Sequence, residues 1–222
     1  MLVLAFDTAT SAVTAALYEW FPGDPARELA AVSGTDRQRH AEVLSPSISR
    51  VLAEAGAAPG DLDAVAVGVG PGPYTGLRVG LATADALGNA LRVPVHGVCT
   101  LDAVAWASGR TSPFVVATDA RRKEVYWARY DAYDRRVSEP SVGPAADAAV
   151  CGLPAIGEGA ALYAAAFGGA GPEAVPPTAS AIAEIAISRL AGRPGLPLLP
   201  PDPLYLRRPD AQEIGARKKA SQ

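Results

Sequence analysis

Residues Val65 to Leu91 read VAVGVGPGPYTGLRVGLATADALGNAL, and this stretch constrains the fold more than any other. A run of alanine and valine enters a loop of alternating glycine and proline, and the loop opens into a segment with helical spacing. The run DLDAVAVGVGPG predicts a strand covered on both faces, as in the interior of a parallel sheet. A helix is predicted over about Thr75–Leu91. Along it Gly76, Gly80, Ala84 and Gly88 recur every fourth residue, which on an α-helix aligns them in a ridge almost without side chains. A glycine inside a water-exposed helix costs roughly 1 kcal/mol relative to alanine. Three in one helix are therefore expected to be offset by close packing, within the chain or across a subunit interface.

The loop between them reads as a turn. Gly70 and Gly72 have GxG spacing, but the next glycine, Gly76, falls one position late for a dinucleotide-binding fingerprint. Pro71 and Pro73 remove two backbone donors that a pyrophosphate cradle would use.

Upstream, MLVLAFDT and SAVTAALYEW predict a hairpin about DTATS, and RELAAVSGT a third strand. RHAEVLSPSISRVLAEAG carries Val43, Leu44, Ile48, Val51 and Leu52 at helical spacing, with Gly56 as its stop. Pro46 is compatible with one helix or two short ones. VPVHGVCT predicts a fifth strand and LDAVAWASG a helix ending at Gly109. The order is three strands, helix, strand, helix, strand. PFVVATDARRKEVYWARYD then repeats the opening pattern, two apolar strands around an aspartate-bearing turn. Helical pieces follow at Gly159–Phe167 and Ser180–Leu190, joined by the glycine- and proline-rich connectors GGAGPEAVPPT and GRPGLPLLPPDP. The expectation is an α/β chain of two related units, residues 1–108 and 109–222, the second reduced and ending in a polar tail.

The composition agrees with a packed protein and argues against a broad nucleic-acid grip. Of 222 residues, 49% are hydrophobic and 19% charged, and the formal net charge is −3. The basic runs Arg121–Lys123 and Arg217–Lys219 read as solvated charge. Cys99 and Cys151 lack metal-ligand spacing and read as buried thiols. No window approaches the ~18 uninterrupted apolar residues of a membrane span, and the opening residues carry no basic leader, so a cytoplasmic protein is expected.

Candidate chemistry is sparse. Asp7 ends the first strand and is followed by Thr8, Thr10 and Ser11. Such a turn either orients a metal-bound water and a phosphate or bonds its own backbone. The histidines, His40 and His96, form no HxxxH or HExxH pair. His40 falls near the start of a helix, and His96 in an apolar strand reads as a hydrogen-bonded core histidine. There is no GxSxG elbow and no GxxxxGK[ST] loop.

Five segments together carry a resemblance: LAFDTATSAVTAAL, RHAEVLSPSI, VAVGVGPGPYTGLRVGLATADALGNALRVPVHGVCTLDA, DARRKEVYWARYD and PLYLRRPDA. They are similar to the TsaB (YeaZ) family, the dimerisation subunits of the bacterial tRNA threonylcarbamoyladenosine machinery. The resemblance implies the ASKHA fold of actin, sugar kinases and heat-shock chaperones: two RNase H-like domains in tandem, with mixed sheets flanked by helices. It also implies kinship with the catalytic paralogue TsaD, whose metal is held by an HxxxH motif just after the strand that follows the glycine helix. At that place this chain has GVCTLDAVAWA, with Thr100 and Val104 where the histidines would stand and Asp102 between them. A catalytic metal is therefore not expected.

The resemblance implies eroded nucleotide elements too. Asp119 remains in the second phosphate turn, TDARRKEVYW, but Arg121 replaces the glycine, whose permissive backbone is lost. IGEGA, Ile156–Ala160, resembles the adenosine-side glycine turn. No cofactor is expected; Asp7, Thr8 and Asp119 are the nearest to cofactor-binding candidates. The expected role is a non-catalytic partner that activates TsaD. Its first helix and glycine-ridge helix would meet that enzyme through Val43, Leu44, Ile48, Gly76, Gly80, Leu81, Ala84 and Leu87, and the same face would form a homodimer when TsaD is missing. A TsaE ATPase would join the complex, and tRNA would be met only through it. The alternative is a stand-alone phosphotransferase or glycoprotease-like peptidase using Asp7, Asp119 and Glu124.

Overall fold

The structure is a computed structural model that describes residues 1–35, 40–149, 152–169 and 174–207. The chain opens with β1 (Leu2–Asp7) and β2 (Ala12–Glu19), an antiparallel hairpin in the register Asp7 to Thr14, and β3 (Arg27–Thr35) adds antiparallel to β2. Then follow α1 (His40–Glu54), β4 (Ala64–Gly68), α2 (Tyr74–Leu91), β5 (Val95–Val98) and α3 (Thr100–Ser108). β4 lies parallel to β1 and β5 parallel to β4, giving the sheet order β3-β2-β1-β4-β5. β4 is buried along its whole length, as its unbroken alanine–valine run requires.

A second sheet repeats the plan in reduced form. β6 (Phe114–Asp119) pairs antiparallel with β7 (Glu124–Ala132), which also meets the short β8 (Arg135–Arg136) and β9 (Ser141–Pro144). After α4 (Ala145–Ala149), β10 (Ala155–Ile156) lies parallel to β6. β6 is thus flanked as β1 is, by an antiparallel successor and a parallel crossover partner. The helical piece expected at Gly159–Phe167 is α5 (Glu158–Leu162) followed by a 3-10 turn, and α6 (Ala179–Leu190) closes the pattern.

Side-chain periodicity decides what each face buries. Leu4, Phe6, Val13, Ala15 and Leu17 face α1 and α2 through Leu44, Ile48, Val51, Leu52, Leu77, Leu81 and Ala84. The opposite face of that sheet, with Val3, Ala5, Ala16 and Tyr18, shares one core with α3, α6 and the inner face of the second sheet through Phe114, Val116 and Tyr130. A third, smaller cluster packs α4 and α5 on the outer face of β6 and β7. The layers are helices, sheet, helices, sheet, helices. The core runs across the expected boundary at residue 108, because α6 and the segment after it return to the first sheet, where Leu199 bridges Gly97 and the Leu204 N–H bonds the Val69 carbonyl at 2.8 Å.

α1 runs unbroken through Pro46. The missing N–H removes a single backbone bond near the helix start. Burial of Leu44, Ser47, Ile48, Val51 and Leu52 on one face holds the helix together. No described helix is long and apolar enough to cross a membrane.

Candidate functional site

Asp7 ends β1 with its side chain buried. Its Oδ1 accepts the Ala9 N–H at 2.6 Å, closing the turn, and its Oδ2 accepts the Thr100 hydroxyl at 2.7 Å. The Gly70 N–H in turn reaches the Thr100 oxygen at 3.2 Å. Gly68 makes room for this group, since a Cβ there would lie 1.7 Å from Asp7 Oδ2. A buried carboxylate is tolerable only when fully bonded, and these donors meet that demand.

Thr8 is equally committed. Its hydroxyl donates to the Gly76 carbonyl at 2.7 Å and accepts the Gly80 N–H at 3.0 Å. These are the two groups an α-helix normally pairs with each other, so the first loop is pinned to the first turns of α2. A Cβ on Gly80 would meet Thr8 Oγ1 at 2.5 Å, and one on Gly88 would meet Val95 Cγ2 at 2.4 Å. The glycine ridge therefore faces the chain's own sheet. Of the residues expected at a partner interface, Gly76, Gly80, Leu81 and Ala84 on α2, and Leu44 and Ile48 on α1, are buried inside the chain. Val43 and Leu87 stay partly exposed, and the outer side of α2 presents Ala82, Ala86 and Ala90.

In the second half, Asp119 Oδ1 accepts the Arg121 N–H at 2.9 Å, and its Oδ2 lies 3.4 Å from the Arg121 guanidinium. The turn it caps is unusual. Arg121, Arg122 and Lys123 have φ of 62°, 56° and 64°, three successive side-chain-bearing residues in the left-handed region. Each such residue costs roughly 1–2 kcal/mol. Arginine thus stands in the left-handed region that glycine enters without strain. Gly157 and Gly159 serve packing, since a Cβ on either would strike the backbone of β6 at Ala117 or Thr118. Between them Glu158 reaches Ser11 at 3.2 Å, joining the first loop to the start of α5.

The paralogue's metal does not fit these residues. Thr100 is bonded to Asp7, and Val104 is a buried aliphatic side chain. Asp102 is turned to the other side, where the Arg136 guanidinium meets both its oxygens at 2.9 Å and the Tyr130 hydroxyl donates at 2.7 Å. Burial pushes the Asp102 carboxyl above its ordinary value while Arg136 pulls it back, and the Tyr130 phenol is raised by burial and by the same carboxylate. Burial and Asp102 push the neighbouring Cys99 thiol up to about 12, which makes it an inert core group, as expected. Cys151 lies outside the described residues, as does the run Arg217–Lys219. His96 differs from expectation: its Nε2 is buried without a hydrogen-bond partner among the described residues, and burial lowers its pKa. Among the described residues no three histidine, cysteine or acidic side chains gather at one point.

One open feature was not legible as a site. A cleft of about 440 Å³ lies between the Gly72–Tyr74 loop, the Ala120–Arg122 turn, Tyr126, and the Tyr205–Arg207 segment. Tyr74 and Tyr205 stack at 5.5 Å with Arg78 over the Tyr74 ring, and Arg207 ties the segment to the Ala120 carbonyl and to Glu124. The available signal was a tyrosine followed closely by arginine in both YTGLR and YLRR.

The comparisons agree on kinship. The family model described as TsaD, tRNA N6-adenosine threonylcarbamoyltransferase, matches residues 34–166, more than half of the chain. The Escherichia coli (strain K12) tRNA threonylcarbamoyladenosine biosynthesis protein TsaB is 35% identical over 59% of this chain and 55% of its own length. A crystal structure described as an uncharacterized protein with similarity to peptidase YEAZ from Pseudomonas aeruginosa superposes with a TM-score of 0.77 at 28% identity, over 93% of this chain and 99% of that one. The chain belongs to the TsaB/YeaZ family. An uncharacterized Mycobacterium leprae protein is 46% identical over 97% of this chain, which spans 57% of that relative's length. Against both named relatives, this TsaB/YeaZ chain covers little more than half of the other protein. The tandem mixed sheets described above are the fold expected of the family.

Proposed function

We propose that this chain is a non-catalytic partner subunit that binds and activates a TsaD-type threonylcarbamoyltransferase, for N6-threonylcarbamoylation of the adenosine beside the anticodon in tRNA. The observation that carries the reading is the sealed Asp7: the carboxylate that would organise a metal or nucleotide is closed off by Thr100 and the Ala9 amide. The other acids of an enzymatic reading are also occupied, Asp119 by Arg121 and Glu124 by Arg207. Relatives named for tRNA threonylcarbamoyladenosine biosynthesis supply the pathway. Docking is assigned to the outer sides of α1 and α2, where Val43 and Leu87 flank exposed alanines, a surface on which a partner helix packs closely. The same face would serve a homodimer, and a TsaE ATPase would complete the assembly.

The test is reconstitution of tRNA modification from a TsaC-type synthase, TsaD and TsaE, with and without this chain, read by mass spectrometry of nucleosides. Product that depends on the chain and survives Asp7→Ala supports the reading. Product lost with Asp7→Ala while the complex still assembles would assign the chain a chemical role and sink it.

A further inference from the structure

The cleft between the two halves has a composition that the partner role does not use. Its lining carries Arg121, Arg122 and Arg207, with Tyr74, Tyr126 and Tyr205, and no acidic residue. These arginines stand beside aromatic rings, Arg121 paired with Asp119 and Arg207 with Glu124 just outside the lining. Tyr205 is 44% exposed and Tyr74 52%, unusual for large rings, and the two stack on each other instead of burying separately. Arg78 lies over the Tyr74 ring, its centre 5.2 Å from the centroid, and donates to the Tyr74 hydroxyl. Tyr205 is thus a backed, open ring face. The same cleft is lined by the left-handed turn of Arg121 and Arg122, held in that conformation by Asp119 and by the Glu124 N–H bonding the Arg121 carbonyl at 3.0 Å.

We propose that this cleft binds a single-stranded segment of RNA, with one unstacked base on Tyr205 and its flanking phosphates on Arg121 and Arg122. The inference rests on the proposed place of the chain in tRNA modification. The chemistry is that of sequence-tolerant single-strand recognition, in which every base offers a π-face to an aromatic ring and arginines hold the backbone. The aromatic rings and the arginines line one cleft, whose 440 Å³ admits a single nucleotide. An acidic peptide would use the arginines but not the open tyrosine face. The paired rings favour RNA.

The experiment is fluorescence anisotropy of the full chain with a labelled, unstructured oligouridylate, and with the same strand annealed to oligoadenylate. Both are titrated over a salt series. Binding of the single strand is expected to exceed that of the duplex, because a paired base cannot reach Tyr205. Tyr205→Ala should weaken it roughly tenfold, the loss of about one stacked base. The pair Arg121→Gln and Arg122→Gln should reduce the slope of log affinity against log salt by roughly 0.7 for each phosphate no longer neutralised. The side chain altered in the tyrosine variant is exposed, and unchanged melting confirms that this variant is folded. Equal affinity for duplex and single strand, indifference to Tyr205→Ala, or displacement by polyglutamate at lower concentration than by RNA would each overturn the proposal. Co-purification of the same variants with TsaD separates this from the partner reading. Retained assembly with lost RNA binding supports both; failed assembly of the unaltered chain would overturn the partner role, whatever the RNA result.

Discussion

Asp7 Oδ2 and the Thr100 hydroxyl meet at 2.7 Å although 93 residues separate them in the chain, joining the end of β1 to the start of α3. Both side chains are buried, so each depends on the other. Thr100→Val keeps the shape and removes the donor. It is expected to destabilise the fold by about 1–3 kcal/mol, the range for leaving a buried polar partner unmet. Urea denaturation measures this. Reconstituted tRNA modification should be unchanged wherever the variant is folded; modification lost at full stability would contradict the structural role.

The Thr8–Gly80 contact makes a second, sharper prediction. Gly80→Ala places a methyl 2.5 Å from Thr8 Oγ1 and should cost roughly 1–3 kcal/mol through overpacking, despite alanine's better helix propensity. Thr8→Ala removes the obstructing hydroxyl. The double variant should then be more stable than the sum of the singles by more than about 0.5 kcal/mol in a double-mutant cycle. Strict additivity would mean that α2 does not sit against the first loop as described.

The Asp102–Arg136 pair ties α3 to β8 in a buried setting, with the Arg136 side chain only 13% exposed and Asp102 fully enclosed. Arg136→Met strands the carboxylate and should cost about 3–5 kcal/mol. Adding Asp102→Asn should recover part of that loss. Both changes are read as shifts of the denaturation midpoint at constant slope.

Acid sensitivity should trace to His96. Burial holds its folded pKa below the ordinary 6.5, so the unfolded chain takes up a proton that the folded chain resists. The stabilisation is therefore complete above pH 6.5 and falls as the pH drops from there through the folded value. The slope cannot exceed ~1.4 kcal/mol per pH unit for one proton. His96→Gln should flatten the pH dependence of thermal melting between about pH 7 and 5.5, the range around the ordinary histidine value. An unchanged slope would assign the acid sensitivity to other groups.

Much of the architecture was legible locally. The order of elements, the doubly buried β4, and the stop of α3 at Gly109, which takes φ 59°, follow from apolar periodicity and from the conformations glycine permits. The small-residue ridge on α2 was legible as a demand for close packing. Which surface meets the demand was not, because helical spacing aligns Gly76, Gly80 and Ala84 without saying what stands opposite. The same limit applied to Asp7, whose turn chemistry reads alike whether it serves a phosphate or its own backbone.

By itself the sequence determined the elements, the duplication of an aspartate-bearing hairpin, and the absence of imidazole at positions 100 and 104, since these depend only on residue type and spacing. The tertiary structure decided where the polar groups are satisfied. Thr100 closes over Asp7, Thr8 bridges Gly76 and Gly80, Arg136 answers Asp102, and Tyr205 is carried back to stack on Tyr74. Each contact joins residues far apart in the chain. Local propensity carries no information about such pairs, whereas burial makes an unmatched polar group too unfavourable to persist.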